Sequence, residues 1–216
     1  MEILKACGGV AQTNCWLIAD EVAKQAVLFD APNDTTAKLL DECQTRGWDL
    51  IGLWLTHGHF DHLADHAVVS GRFPKAKVLL HKGDEDKMTG EYPRIFPLPF
   101  EIPERKPDAY LSEGQELRIG SIKVQVMHTP GHAAGHVVFY LPEEKVLVGG
   151  DMILCGAIGR VDLPDSVYDV MCQSIRRIMD LPDETTLLPG HCGRTTLGRE
   201  LHSNCMVKEC LSRQGR

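Results

Sequence analysis

The stretch Thr56-His57-Gly58-His59-Phe60-Asp61-His62 places four side chains that can bind a metal within six consecutive residues. Imidazole and carboxylate groups are the usual protein ligands of zinc and of other first-row metals. Two histidines that are two residues apart can face one ion only where the backbone is extended or turning. The Asp61-His62 pair that follows then points a second set of ligands elsewhere. The stretch therefore suggests two metal ions rather than one.

The segments on either side of this stretch predict where it lies in the fold. Residues 50–55 form a short apolar run that is typical of a buried strand. Residues 63–73 have the mixture of leucine, alanine and valine that is typical of a helix. We therefore expect the candidate ligands to lie on a loop between a strand and a helix, where α/β proteins commonly build their sites.

The rest of the chain alternates strand-like and helix-like segments in two roughly similar halves. In the first half, we predict strands around Ile18 and over residues 25–29, 51–55 and 78–80, with helices over 34–46 and 61–72. In the second half, we predict strands over 117–127, with a turn at Gly120-Ser121, and over 137–141, 145–148 and 185–188. Helices are predicted over 166–179 and near Leu197.

Two further features of this pattern carry predictions. The motif Ser166-x-x-Asp169 is similar to a capping box and would open the helix over 166–179. Residues 92–107 contain five prolines, a density that excludes a regular helix or a central strand, so we predict a loop. Such a loop is either a lid or binding loop or a surface excursion without a role. The whole pattern predicts an α/β protein of two packed sheets with helices on both outer faces.

Composition and charge exclude several classes of function. At 216 residues we expect one domain that spans residues 1–216. The net charge of -7 argues against a nucleic-acid partner, because phosphate binding requires a basic surface. No apolar stretch approaches the roughly 20 residues of a membrane span, and the N-terminal residues lack the apolar core of a secretory signal. We therefore expect a cytoplasmic protein with no membrane partner.

The eight cysteines are scattered along the chain without a Cys-x-x-Cys pair. Nothing in the sequence indicates secretion, so we expect most of them to be reduced thiols. A zinc–thiolate site is not expected at this spacing.

Three later residues repeat the arrangement of the opening stretch, because each follows an apolar strand and a glycine. His132 lies in Thr129-Pro130-Gly131-His132, Asp151 follows residues 146–150, and His191 follows residues 187–190. The glycines allow the backbone to turn tightly and bring ligands close to an ion. Each match alone is weak, but all of them together, each at a strand end, indicate one composite metal site.

With these residues the chain resembles the metallo-β-lactamase-fold hydrolases, and among them the short bacterial glyoxalase II (hydroxyacylglutathione hydrolase) type. The resemblance covers nearly the whole chain. It is carried by Gln12-Thr13-Asn14-Cys15, by the stretch from His57 to His62, by His132, Asp151 and His191, and by Gly159-Arg160-Val161-Asp162-Leu163-Pro164.

The resemblance implies an αββα sandwich of two mixed sheets and a binuclear metal site. His57, His59 and His132 would hold the first metal, Asp61, His62 and His191 the second, and Asp151 would bridge both. Zinc is the expected metal, and iron or manganese would also suit these ligands. The resemblance implies hydrolysis of S-acyl thiols such as S-lactoylglutathione by a metal-bridging hydroxide, which Asp61 would orient. The expected partner is a small-molecule thioester, and the protein would be a monomer or a small homo-oligomer.

The resemblance also suggests roles for residues around the metals. Asp30, Thr56 and His136 are candidates for holding the imidazoles in the correct tautomer. Arg160 would either bind a carboxylate of glutathione or form an ion pair with Asp162. Longer glyoxalase II enzymes grip glutathione with a C-terminal helical domain that this chain does not show after His191, so another thiol carrier is an open alternative.

Other activities of the same fold remain as alternatives. A persulfide dioxygenase would use His57, His132 and Asp151 as a two-histidine, one-carboxylate triad around a single iron. A β-lactamase is disfavoured because the bridging carboxylate Asp151 is foreign to its ligand sets. A phosphodiesterase acting on RNA is disfavoured by the acidic charge balance. A non-catalytic module is disfavoured because the set of seven ligand candidates is complete.

Overall fold

Two six-stranded sheets lie face to face in the computed structural model, which describes residues 1–91 and 97–213. The first sheet follows chain order from β1 to β6, with β1, β2 and β3 antiparallel and β3 to β6 parallel. These strands are β1 (Glu2–Gly8), β2 (Thr13–Asp20), β3 (Gln25–Phe29), β4 (Asp49–Trp54), β5 (Lys77–His81) and β6 (Ala109–Leu111).

The second sheet has the order β14-β13-β10-β9-β8-β7 and is antiparallel except for the β10–β13 pair. Its strands are β7 (Glu116–Ile119), β8 (Ile122–His128), β9 (Val137–Leu141), β10 (Val146–Gly150), β13 (Thr186–Pro189) and β14 (Thr195–Thr196). A separate hairpin is formed by β11 (Ile153–Leu154) and β12 (Ala157–Ile158).

The helices belong to the connections between strands. They are α1 (Ala37–Arg46), α2 (Phe60–Leu63), α3 (His66–Arg72), α4 (Glu85–Thr89), α5 (Tyr168–Met179), α6 (Leu197–Ser203) and α7 (Cys205–Ser212), with a 3₁₀ turn over Lys82–Asp84. Helix α1 contacts the first sheet at β1 and β4, while α5 packs against α7 in the second half of the chain.

Three apolar clusters show how the layers are stacked. Strand β2 is buried along its whole length, yet Trp16 and Ile18 belong to the cluster between the sheets, whereas Leu17 packs in the cluster beneath α1 and α3. In β9, Phe139 faces the space between the sheets and Tyr140 faces the cluster that includes α5 and α7. This alternation, which follows from the two-residue period of a strand, buries both faces of each sheet. The predicted αββα sandwich is confirmed.

Several predicted elements differ from the observed ones. The helix predicted over 61–72 is two helices, because the carboxylate of Asp65 between them accepts hydrogen bonds from the backbone N–H groups of Asp34, Thr35 and Thr36 at 3.1–3.2 Å. The predicted capping box is wrong. Helix α5 begins at Tyr168, and the Ser166 hydroxyl donates instead to the carbonyl of His132 at 2.6 Å. The sequence pattern does not predict strand β1.

The remaining sequence expectations concern cysteines, membrane spans and the proline-rich loop. Six cysteines are free thiols, and Cys172 forms a disulfide with Cys210 that connects α5 to α7. None of the helices that the structure describes is both long and apolar enough to cross a membrane. Residues 97–107 of the proline-rich segment have no helix or strand, as predicted, and residues 92–96 lie outside the described part of the chain.

Candidate metal centre

Four strand ends deliver the seven predicted ligands to one place. The opening stretch follows β4, His132 follows β8, Asp151 follows β10, and His191 follows β13. The strands come from both sheets, so the site lies at one edge of the sandwich, where the two sheets meet. The structure thus brings together all seven residues that the sequence indicated, in overlapping groups of three whose ligand atoms lie within 4.8 Å of one another.

The first group consists of His57, His59 and His132. The Nε2 atom of His57 lies 3.0 Å from Nδ1 of His59, and both rings meet His132 edge to face, with centroids 4.9 and 4.6 Å away. Burial, reinforced by neighbouring imidazoles, lowers the pKa of His57 well below its usual value. The ring is therefore neutral, which is the form that binds metals.

The second group consists of Asp61, His62 and His191. The Nε2 atoms of both histidines lie 3.5 Å from Oδ2 of Asp61. The same Oδ2 accepts a hydrogen bond of 2.6 Å from the hydroxyl of Thr13, which fixes the orientation of the carboxylate.

Asp151 lies between the two groups. Its Oδ1 is 3.5 Å from Nε2 of His62, while its Oδ2 is 3.3 Å from Nε2 of His191 and 3.6 Å from Nε2 of His132. Burial by itself would raise the pKa of Asp151, but His62, His191 and His132 outweigh it and hold the pKa well below its usual value. An ionised carboxylate that contacts histidines of both groups has the placement that a bridging ligand needs.

Buried polar atoms test whether these residues fit metal ions. Among the described residues, Nε2 of His62, Nε2 of His132 and Oδ1 of Asp151 are buried without a hydrogen-bond partner. Such atoms are costly to bury unless something else satisfies them. All three point into the two groups, where two divalent cations would satisfy them. The residues present therefore fit a binuclear centre, and their individual ligand roles stay predictions.

Neighbouring oxygen atoms fix the tautomers of three of the imidazoles. Asp30 accepts from Nδ1 of His62 at 2.8 Å, and the carbonyl of Arg160 accepts from Nδ1 of His132 at 2.8 Å. The hydroxyl of Thr56 donates to Asp30 and lies 3.0 Å from Nδ1 of His57, so it accepts from that nitrogen. In each ring the proton is held on Nδ1, which leaves the lone pair of Nε2 for a metal.

His136 holds the backbone beneath the centre. Its Nε2 accepts a hydrogen bond of 3.0 Å from the N–H of Asp151, and its Nδ1 lies 3.0 Å from the hydroxyl of Thr129. Its ring also stacks on that of His57 at a centroid distance of 5.0 Å. The structure thus places Asp30, Thr56 and His136 around the candidate ligands, where the sequence suggested supporting roles for them.

A charged network beside His59 was not found from the sequence. The buried carboxylate of Asp84 accepts from the N–H groups of Gly58 and Gly135 at 2.7 Å each, so it ties together the loops that carry His59 and His132. Lys87 lies 2.8 Å from both Asp84 and Asp165, and Oδ1 of Asp165 lies 3.8 Å from Nε2 of His59. These residues follow β5 or precede α5, and no local motif relates them to the ligand stretch.

Arg160 forms an ion pair with Asp162, which is one of the two contacts suggested for it by the sequence. Its guanidinium donates to both carboxylate oxygens of Asp162 at 2.8 and 2.9 Å, while 61% of its side chain remains exposed. It also lines a cavity of about 360 Å³ beside the candidate ligands. A contact between Arg160 and a substrate stays a prediction.

Comparisons with known proteins agree with this geometry. The hydroxyacylglutathione hydrolase GloC of Haemophilus influenzae is 33% identical over 199 residues, which cover 89% of this chain and 92% of that enzyme. The crystal structure of the BLEG-1 B3 metallo-beta-lactamase superposes with a TM-score of 0.86 at 30% identity and covers 95% of this chain and 99% of that one. TTHA1623, in a di-iron-bound form, has a TM-score of 0.74 at 35% identity, with 94% and 98% coverage.

The family model matches residues 8–191, a span that begins before Thr13 and ends at the last of the seven candidate ligands. The sheets, the strand ends and the histidine–aspartate groups all lie within that span. The chain therefore belongs to the metallo-beta-lactamase superfamily, whose members are metal-dependent hydrolases and related enzymes.

Proposed function

We propose that the protein is a two-metal thioesterase that hydrolyses S-acyl thiols such as S-lactoylglutathione. The observation that carries the proposal is the position of Asp151, whose carboxylate lies within 3.6 Å of His132 from the first group and of His62 and His191 from the second. The similarity to a hydroxyacylglutathione hydrolase over most of both chains supports the choice of thioester hydrolysis.

Each residue of the centre has a distinct task in this proposal. One ion would be held by His57, His59 and His132. The other ion would be held by Asp61, His62 and His191. Asp151 would contact both ions. When bound, two divalent ions supply an activated water and a Lewis acid for the carbonyl oxygen. The Thr13 hydroxyl keeps Asp61 oriented, and the oxygens beside Nδ1 of three imidazoles keep their lone pairs directed at the centre.

The leaving group explains why a thioester suits this site. Hydrolysis adds water across the acyl C–S bond, so the acyl carbon gains an oxygen and the sulfur leaves with the bonding electrons. A free thiol has a pKa of about 8.5, so the thiolate leaves with little help from a general acid. The site needs no acid beyond the water proton, and none of the seven candidate ligands has to provide one.

The test combines metal analysis with a thiol-release assay. We expect close to two metals per chain and release of glutathione from S-lactoylglutathione, with one of the two metals and most of the activity lost in His59→Ala and Asp151→Ala. His202→Ala is the matched control, because this histidine is exposed on α6 and outside the site. Full activity of His59→Ala would contradict the two-metal mechanism.

A dioxygenase acting on a persulfide is the second candidate, because His57, His132 and Asp151 also lie together here and a related structure holds iron. This reaction consumes molecular oxygen, whereas thioester hydrolysis consumes none. Oxygen uptake with glutathione persulfide by protein that contains one iron per chain, without thioester hydrolysis, would replace the thioesterase proposal.

A further inference from the structure

The cavity beside the centre is lined both by candidate metal ligands and by apolar side chains. The ligands among its lining include Asp61, His132, Asp151 and His191. The apolar lining consists of the side chains of Phe60, Leu63, Met88, Leu98, Ile102 and Leu163. At about 360 Å³ the cavity falls within the range of small-molecule sites, and it can take one arm of a thioester whose carbonyl lies at the centre.

The apolar side chains come from four separate segments, one of which carries Leu163 between β12 and α5. Phe60 and Leu63 belong to α2 next to the ligand stretch, and Met88 belongs to α4. Leu98 and Ile102 lie in the proline-rich loop, which is anchored by a hydrogen bond of 3.1 Å from the N–H of Arg105 to the carbonyl of Met88. The fold therefore assembles the apolar lining from separate segments beside the candidate ligands.

The charged side chains of the cavity do not suit a glutathione arm. Glutathione carries two carboxylates and one ammonium, and its recognition requires cations that can pair with the carboxylates. Of the cations among the described lining residues, Lys87 is held by Asp84 and Asp165, and Arg160 is held by both oxygens of Asp162. Glu104 adds a negative charge to the same lining.

We infer, on the basis of the proposed thioesterase function, that the substrate is a thioester whose arm in this cavity is apolar and uncharged, rather than a glutathionyl group. Leu98 and Leu163 contribute to this preference, because both are apolar, partly exposed lining residues and neither is a candidate ligand. An apolar arm would displace water from Phe60, Leu98 and Leu163, which are partly exposed in the cavity lining, whereas a charged arm would lose hydration without gaining a partner.

The experiment compares four thioesters made from two acyl groups and two thiols. Lactoyl and hexanoyl esters of glutathione and of the uncharged thiol N-acetylcysteamine are hydrolysed by protein loaded with two metals, and kcat/KM is measured for each. If the hexanoyl esters of both thiols have a higher kcat/KM than the lactoyl esters, the cavity binds the acyl arm. If the N-acetylcysteamine esters of both acyl groups have a higher kcat/KM than the glutathione esters, the cavity binds the thiol arm. We expect S-hexanoyl-N-acetylcysteamine to exceed S-lactoylglutathione by about tenfold or more.

The outcomes separate this inference from the proposed function. If S-lactoylglutathione has a kcat/KM equal to or higher than those of the other three esters, the inference is overturned and the thioesterase function stands. If none of the four is hydrolysed, the thioesterase function itself fails, and the inference fails with it.

Variants of the lining residues provide the second measurement. Leu98→Asn and Leu163→Asn should each raise KM for S-hexanoyl-N-acetylcysteamine about tenfold, with little change in kcat or metal content. Both side chains are only partly buried and lie outside helices and strands, so the fold should tolerate the change. The control is Val22→Asn, because Val22 is 95% exposed and does not line the cavity. An unchanged KM in both lining variants would count against the inference.

Discussion

Asp30 supports both histidine groups through one buried carboxylate. It accepts from Nδ1 of His62 at 2.8 Å and from the N–H and hydroxyl of Thr56 at 2.8 and 2.9 Å. Because the Thr56 hydroxyl in turn accepts from His57, this single carboxylate fixes one imidazole of each group. Asp30 also has a φ of 60°, a left-handed backbone conformation that non-glycine residues adopt rarely.

The Asp30→Asn variant should bind both metals about 10–100-fold more weakly, because an amide removes the charge and one of the acceptors that hold the imidazole protons. Competition with a chelator of known affinity measures the change for each metal. The control is Asp41→Asn on α1, a side chain that is 67% exposed. Equal affinities in the Asp30 variant and the parent protein would show that the tautomers are fixed by other contacts.

Asp165 should affect the affinity of only one metal, the first ion, which His57, His59 and His132 would hold. Its carboxylate lies beside Nε2 of His59, so it favours the tautomer that leaves Nδ1 of His59 free for the first ion. In Asp165→Asn we expect about a tenfold weaker first metal and an unchanged second one, measured by stepwise metal titration. Asp169→Asn, at a side chain that is 82% exposed, is the comparison variant. Equal weakening of both metals would point instead to a general disturbance of the loops.

The sequence predicted the residues of the centre more completely than those that support it. An apolar strand comes before each part of the centre, namely the stretch from His57 to His62, His132, Asp151 and His191. That local pattern can be recognised one segment at a time. Asp84 and Asp165 carry no such pattern. Apart from Lys87, the partners that connect them to the centre are backbone N–H groups and a histidine 26 or more residues away. Contacts of this kind depend on how the loops pack, which a single sequence does not specify.

At the scale of elements, the strand ends require close approach of the backbone. A Cβ atom at Gly190, after β13, would lie 2.2 Å from Oδ1 of Asp151 and 2.8 Å from Cε1 of His62. The glycine therefore leaves room for the ligands themselves, which is the role that the sequence suggested for glycines near the site.

We expect Gly190→Ala to lose metal and thioesterase activity, because its methyl group would displace Asp151. Gly71→Ala is the opposite case, since Gly71 lies in α3 and its Cβ would meet nothing within 4 Å. Alanine there should raise the free energy of unfolding by up to about 1 kcal/mol without changing metal content. Thermal unfolding and metal analysis of both variants check this, and a Gly190→Ala protein that keeps both metals would disprove the steric argument.

Elements whose boundaries depend on long-range contacts were predicted less well. The Asp61–Arg72 region reads as one helix from its apolar spacing, yet Asp65 turns aside to bind the backbone N–H groups before α1. Ser166 has the spacing of a helix cap, but its hydroxyl is used by the loop that carries His132. In both cases a polar side chain near the site takes a tertiary partner in place of the local one.

At the scale of the whole molecule, the sandwich follows from apolar patterning, while the pairing order of its strands does not. Runs such as Gln25–Phe29 and Val137–Leu141 are apolar enough to predict strands buried on both faces. The parallel pair of β10 with β13 joins strands separated by α5, and the edge strand β1 has only partly buried or exposed residues. Such features are decided by the packing of distant segments.

The position of the centre predicts that metal binding stabilises the entire fold. His57, His59, Asp61 and His62 follow a strand of the first sheet, whereas His132, Asp151 and His191 follow strands of the second. Bound ions would therefore connect the two sheets, and the unfolded chain offers no such site. A ligand of the native state at 100 times its Kd adds about 2.7 kcal/mol to the free energy of unfolding.

For a chain of this length, that energy corresponds to a rise in Tm of about 5–11 °C. We expect a calorimetric scan of protein stripped with a chelator to show a Tm lower by at least this amount, and readdition of zinc to restore it. Asp151→Ala should remain folded and gain much less on zinc addition, because it lacks the residue shared by both groups. If stripped and loaded protein melted at the same temperature, the ions would bind without joining the sheets, and the seven residues would not form one native-state metal centre.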